Sequence, residues 1–317
     1  MARREQGQLS LADGLLHGRA GSNRQLERIA ELVDWDRFEA LLSPIYASKM
    51  GRPSYGPVSL FKCLLLQQWY RLSDPGLEEA LSDRLSFRRF VGLALGNPTP
   101  DHSTLSRFRT ALREQGLADL LLVELNRQLD ARGLIVREGT LIDATLVAAD
   151  AKEPRRGQAE QASDKDARVT IRRDKAHYGY KAHVAVDEGS GIIRAAVLTP
   201  ANTHDLTPAA QLVQGDERIA YADKAYDSRA FHSYLAQAGI GDGVMRRDGR
   251  YRKLDALDQH RNRLLGRRRA AVERVFGLMK RSYGYSRVRY RGLARNAVQL
   301  ALLAVAINLR RAAATPA

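Results

Sequence analysis

The hydrophobic period of this chain changes once, and that change limits the folds open to it. From Asn23 to Gly133 apolar residues recur at helical spacing, in "NRQLERIAELV", "SLFKCLLLQQWYRL", "GLEEALSDRLSFRRFVGL" and "DHSTLSRFRTALREQGLADLLLVELNRQLDARG". The breaks fall at "GRPSYGP", "SDPG" and "GNPTP". From Gly139 the pattern becomes short, β-branched runs between turn residues. "GTLIDATLV" reads as a buried strand, and "YGYKAHVAVD" and "IIRAAVLTP" as a hairpin around Gly-Ser-Gly. "THDLTPAAQLV" reads as a short helix capped by Thr203 or Asp205, "RIAYAD" as a strand, "SRAFHSYLAQAG" as a helix and "IGDGVMRR" as a strand. Long helices from about Leu264 finish the chain. The expectation is a helical domain over 23–135, then an α/β domain over 136–311 built on a mixed five-stranded sheet with flanking helices. Residues 1–22 read as a flexible start, 312–317 as a tail.

Composition narrows the class. The one cysteine, Cys63, lies in an apolar run, which excludes a disulfide framework or a cysteine zinc site and favours a reducing, cytosolic compartment. The first residues carry no apolar segment of the signal-peptide type. "AVQLALLAVAINL" is too short to span a bilayer. Charge is more telling. Of 51 basic and 36 acidic residues, 19 and 4 lie between Arg246 and Arg311, leaving 32 of each elsewhere. The whole net charge of +15 therefore sits near the C-terminus, which points to a polyanion, most simply nucleic acid. In the helical region, "TPDHSTLSRFR" offers Asp or Ser as helix caps and then sets Arg107, Arg109 and Arg113 on one helix. That fits a helix-turn-helix DNA-binding unit, and it fits a plain helical bundle as well.

Within the basic segment, "RRRAAVERVFGLMKR" keeps a single acid, Glu273. Two other acids sit where burial is costly: Asp143 inside "LIDATLV" and Asp223 at the end of "IAYAD". In open α/β sheets ligands gather at the carboxyl ends of strands. Two strand-borne aspartates and a helix-borne glutamate would form a cluster suited to a hard cation such as Mg²⁺. In phosphodiester chemistry, paired ions stabilise the attacking and leaving oxygens. Arg269, Glu273 and Lys280 are four and seven residues apart, on one helix face, leaving Val272, Val275 and Met279 for the core. A surface pair of Glu273 with Arg269 would account for the same spacing. Asp205 reads as a helix cap and Asp187 as a turn residue. His177, His183 and His204 lack the spacing of a zinc motif.

The motifs "LIDATLV", "YGYKAHVAVD", "LTPANTHD", "YADKAYDS" and "RAAVERVFGLMKR", in this order, resemble the catalytic domain of the DDE transposases of the insertion-sequence-5 family. "PDHSTLSRFR" and the block from "LFKCLLLQQWY" to "FRRFVGL" are similar to that family's N-terminal domain, so the resemblance runs from about Asp34 to Arg311. It implies a ribonuclease H-like fold and a triad of Asp143, Asp223 and Glu273 holding Mg²⁺ or Mn²⁺, two ions in all. It implies hydrolysis at transposon inverted-repeat ends, then transfer of the freed 3′-OH into target DNA. Double-stranded DNA is the expected partner, held by a homodimer or larger assembly, with Arg107, Arg109, Arg267, Arg268, Arg269, Lys280 and Arg281 as candidate contacts. The family's late signature is Tyr, two residues, Arg, three residues, Glu, six residues, Lys. Gly266 stands here at the Tyr position. Two other functions share these motifs: a catalytically silent, transposase-derived DNA-binding protein, and a metal-dependent nuclease that cuts without joining.

Overall fold

The computed structural model describes residues 22–46, 55–154, 162–172, 174–249 and 253–315. The expected flexible start, 1–21, and part of the polar loop after residue 150 lie outside them. The chain divides into two units, residues 1–129 with 305–317, and residues 130–304.

The first unit is helical. Its helices are α1 (Arg24–Leu32), α2 (Trp35–Leu42), α3 (Pro57–Tyr70), α4 (Asp74–Asp83), α5 (Leu85–Val91), α6 (His102–Glu114) and most of α7 (Leu117–Ala131). Local chemistry sets the starts: Asn23, Asp34, Ser73 and Asp101 each accept an amide hydrogen of the first turn through their side chains. Pro57 opens α3, where no amide donor is needed. Gly92, at φ +78°, closes α5 in the left-handed conformation that glycine adopts without strain. Helix α3 is the centre of this unit, with Leu60, Phe61, Cys63, Leu64, Leu65 and Leu66 all buried. Arg88 is buried too, and gives its guanidinium to the carbonyls of Ala94, Leu95 and Asn97.

The second unit is a mixed α/β domain. Six strands, not the expected five, form one sheet: β1 (Thr140–Ala148), β2 (Arg168–Arg172), β3 (Lys175–Asp187), β4 (Ile193–Pro200), β5 (Ile219–Ala222) and β6 (Gly241–Val244). The extra strand is β2, from "RVTIR", whose polar alternation resembles a loop until a partner is present. β3 runs antiparallel to β1, β2 and β4, while β1, β5 and β6 are mutually parallel along their pairings. Gly179 pairs with Ala148 of β1 and with Arg168 of β2, and Tyr180 pairs with Val147 of β1 and Pro200 of β4. β2 and β4 therefore share the edge of β3 away from β1, end to end.

One sheet face is closed by α8 (Ala209–Leu212) and α9 (Arg229–Gln237). These helices bury Leu212, Phe231 and Leu235 with Ile142, Ala185, Ala220 and Ala222. Helix α8 is shorter than "THDLTPAAQLV" suggests and starts after Pro208, so neither Thr203 nor Asp205 caps it. Helices α10 (Ala256–Arg268) and α11 (Ala270–Arg281) follow, and α11 packs on β1 with Val272, Val275 and Met279 buried, as their spacing predicts. The last helix, α12 (Leu293–Ala314), extends beyond the apolar run seen in the sequence. Its 22 residues have the length and apolarity to cross a membrane, but 78% of its apolar window is buried inside the protein, as in a core helix.

Candidate active site

The parallel ladder between β1 and β5 pairs Thr140 with Ala220, Leu141 with Tyr221 and Ile142 with Ala222. The next residue on each chain is an aspartate, Asp143 and Asp223. Parallel neighbours lie about 4.8 Å apart, so the two carboxylates leave the sheet side by side. Ile142 and Ala222 face the core under α8 and α9, so pleating sends both aspartates to the opposite face. Asp223 then turns the chain, its Oδ1 accepting the Ala225 amide hydrogen at 2.8 Å. Asp143 Oδ1 accepts the amide hydrogen of Ala144 at 2.8 Å.

One cation serves both. Arg269, the residue before α11, donates to Asp143 Oδ2 at 2.5 Å and lies 3.8 Å from Asp223 Oδ2. The side chains of Arg269 and Asp143 are only 20% and 14% exposed, so this pair is poorly screened. Burial raises the Asp143 pKa, Arg269 and the Ala144 amide work against that, and the charge of Asp223 adds to it. Burial disfavours the Arg269 charge, but Asp143, Asp223 and Glu273 outweigh it and its pKa is raised. Glu273 sits in the first turn of α11, is exposed, and is within electrostatic reach of Arg269. Among the described residues no three acidic, His or Cys side chains are close enough to hold a metal ion together. Arg269 sets its guanidinium against both aspartates, a cation where a metal ion is expected from the sequence.

Residues 135–309 match the transposase DDE domain family, and residues 16–111 match a second transposase domain, DUF772. The chain belongs to the DDE transposase family. A solved piggyBac transposase synaptic complex with hairpin DNA is similar to this transposase at a TM-score of 0.40 and 12% identity, over 91% of this chain and 72% of that one.

The candidate DNA contacts of the transposase divide. Arg267 and Arg281 are exposed, and Arg107 is exposed and donates to the Ser103 and Thr104 hydroxyls. Arg268 is 53% exposed, donates to Glu188 at 2.7 Å and lies over the Tyr221 ring. Lys280 is half-buried. Two candidates are turned inward. Arg109 is paired with Asp74 of α4, its side chain 11% exposed, because burial in the helical unit demands a countercharge. Arg269 pairs with the aspartates. At Gly266 an added Cβ meets open space, so nothing nearby requires a glycine there.

A polar group on the other sheet face escaped prediction from the sequence. Lys181 and His183 alternate along β3 on the side of Ala185. Lys181 Nζ lies 2.8 Å from Asp205 and donates to the Thr203 carbonyl at 2.7 Å, so Asp205 is an ion-pair partner and not a cap. His183 is buried against the Thr199 hydroxyl at 2.9 Å, and burial pushes its pKa down to about 4. The Tyr226 hydroxyl, buried with no hydrogen-bond partner among the described residues, has its pKa raised by burial, then by Asp205, Asp143 and Asp223. The two-residue spacing of Lys181 and His183 in "YGYKAHVAVD", which puts both on one face of a strand, is the signal available in the sequence, and only the tertiary packing against Asp205 and Thr199 gives it meaning.

Proposed function

We propose that this chain is a DNA transposase of the insertion-sequence-5 type, in which Asp143, Asp223 and Glu273 are the catalytic carboxylates. The observation that carries this reading is the pair of aspartates at matched positions on neighbouring parallel strands, facing one cation on the residue before the helix that bears Glu273. The order β4–β3–β1–β5–β6, with an antiparallel hairpin on one side of β1 and parallel strands on the other, supports a ribonuclease H-like assignment. The capped helices α4 and α6, packed on each other with α5 and residues 92–101 between them in the chain, support a helix-turn-helix role for the N-terminal unit.

The donor set fits a divalent cation: two oxygen-ligand carboxylates, one of them buried, that already require positive charge. Asp143 and Asp223 would hold Mg²⁺ or Mn²⁺, with Glu273 completing the set and Arg269 yielding its position. Bound metal supplies charge neutralisation for both the attacking and leaving oxygens. The chain's own part is positioning. Asp143 and Asp223 are fixed by the ladder and by amide hydrogen bonds, and exposed Arg267 and Arg281 hold the phosphates that flank the cut. Water attacks phosphorus at each element end, the P–O3′ bond breaks, and the 3′-OH released attacks a target phosphodiester with loss of the target's 3′-oxygen. Both ends must be held together, so a homodimer or larger assembly forms on double-stranded DNA.

Asp143→Asn and Glu273→Gln should each abolish Mg²⁺-dependent cleavage of transposon-end duplexes while leaving end binding within about twofold. Normal cutting by either variant rejects the triad. Strand transfer from a pre-cut end distinguishes a transposase from a nuclease that only cuts.

A further inference from the structure

β3 is longer than its neighbour β1. The β1 pairing ends at Ala148 with Gly179, so residues 175–178 run past it. There β3 is paired on its other edge with β2, from Arg172 opposite Lys175 to Arg168 opposite Gly179. The result is a two-stranded ribbon projecting from the sheet. Gly179 is its base: its φ is +156°, and a Cβ there would lie 2.2 Å from the Val147 carbonyl oxygen. The ribbon is about 17 Å long at about 3.4 Å per residue.

Residues directly opposite in an antiparallel pair share a face. One face carries Val169, Ile171, Ala176 and Tyr178; the other carries Arg168, Thr170, Arg172, Lys175 and His177. All of the second set except the half-buried Thr170 are exposed. Arg172 and Lys175 form a like-charged opposite pair, an arrangement that weakens an isolated ribbon. Neither has an ion-pair partner among the described residues, and the Arg168 guanidinium donates only to the Lys165 and Ala167 carbonyls. Burial, and then the charge of Arg172, lower the pKa of Lys280 on α11, so the cationic face of the ribbon is within electrostatic reach of the helix that carries Glu273. Three cations on one face of the two strands, against the one acid Asp174 in the described part of the turn between them, fit a polyanion, and a two-stranded ribbon fits the major groove of duplex DNA.

We propose that the ribbon of residues 168–172 and 175–179 is a DNA-gripping arm, its Arg168, Arg172 and Lys175 face binding duplex phosphates beside the catalytic helix. This rests on the transposase reading. The opposite, apolar face, with Ile171 74% exposed, offers the rival occupant, a second copy of the chain.

The test is a titration of the full chain, with Asp143→Asn to keep the DNA intact, against a labelled random-sequence duplex over a range of salt. Arg168→Gln, Arg172→Gln and Lys175→Gln together should flatten the log K against log salt slope by up to about 2.7, at about 0.9 for each phosphate no longer neutralised. The charge-matched control Arg24→Gln with Arg132→Gln and Arg229→Gln, three exposed arginines elsewhere, should leave it unchanged, and Arg168→Lys with Arg172→Lys should restore it. A steep wild-type slope that the ribbon variant retains overturns the arm and leaves the transposase reading standing. A wild-type protein that shows no salt-dependent binding overturns the transposase reading itself. If Ile171→Glu dissociates an assembly while the charge variant binds DNA normally, the ribbon is a protein interface and the proposal is wrong.

Discussion

Replacing Arg269 with Gln would leave Asp143 and Asp223 side by side with no cation between them. The cost can be worked from the site. Asp143 is buried, its side chain 14% exposed, and Arg269 donates to it at 2.5 Å. Removing one partner of a fully buried pair costs about 3–5 kcal/mol. The Asp223 separation is longer, at 3.8 Å, and its side chain 31% exposed, so about 2–4 kcal/mol is the expected loss here. For a unit of this size each kcal/mol moves the melting temperature by about 2–4 °C, so the drop should be on the order of 5–15 °C in EDTA. Mg²⁺ should return more of that loss in the variant than it adds to the wild type, because it supplies the missing charge. The pH dependence follows from the raised Asp143 pKa. The native state holds a proton that the unfolded chain has released, so stability falls as pH rises from the ordinary carboxylate value to the raised one. Without Arg269 the native value rises further and this window widens upward. Scanning calorimetry across pH, with EDTA or Mg²⁺, reads all three effects. An unchanged melting temperature, or an equal Mg²⁺ increment in both proteins, refutes the shared-cation account.

The helical unit supplies two further expectations. Arg109→Ala should lower its stability by about 3 kcal/mol by stranding Asp74, whereas Arg107→Gln should leave stability within about 0.5 kcal/mol; urea melts separate them. Asp101 caps α6, and the Thr104 amide and hydroxyl hold its pKa down at about 2. Its stabilisation is therefore present above the unfolded value near 3.8 and lost as pH falls towards 2, and Asp101→Ala should remove it at neutral pH at a cost of about 1 kcal/mol. A variant as stable as wild type at pH 7 would refute the cap's role.

Much of this molecule was determined by its sequence alone. The helix starts at Ser73 and Asp101, the apolar runs of five strands between turn residues, the burial of Val272 and Met279, and the concentration of charge after Arg246 all follow from short-range chemistry. So does the pairing of Asp143 and Asp223 as residues of interest, since an acid in an apolar strand is conspicuous wherever it folds. Tertiary structure decided the rest, because it concerns partners distant in the chain. β2 is a strand only because β3 pairs with it. Arg109 is structural only because Asp74 of another helix reaches it. Arg269 lies 126 residues from Asp143, and nothing in its neighbourhood of cations marks it as the one that turns inward. Which of many arginines meets a carboxylate, and which stays free for a polyanion, depends on where packing leaves each side chain once the core is closed, and residue type carries no record of that.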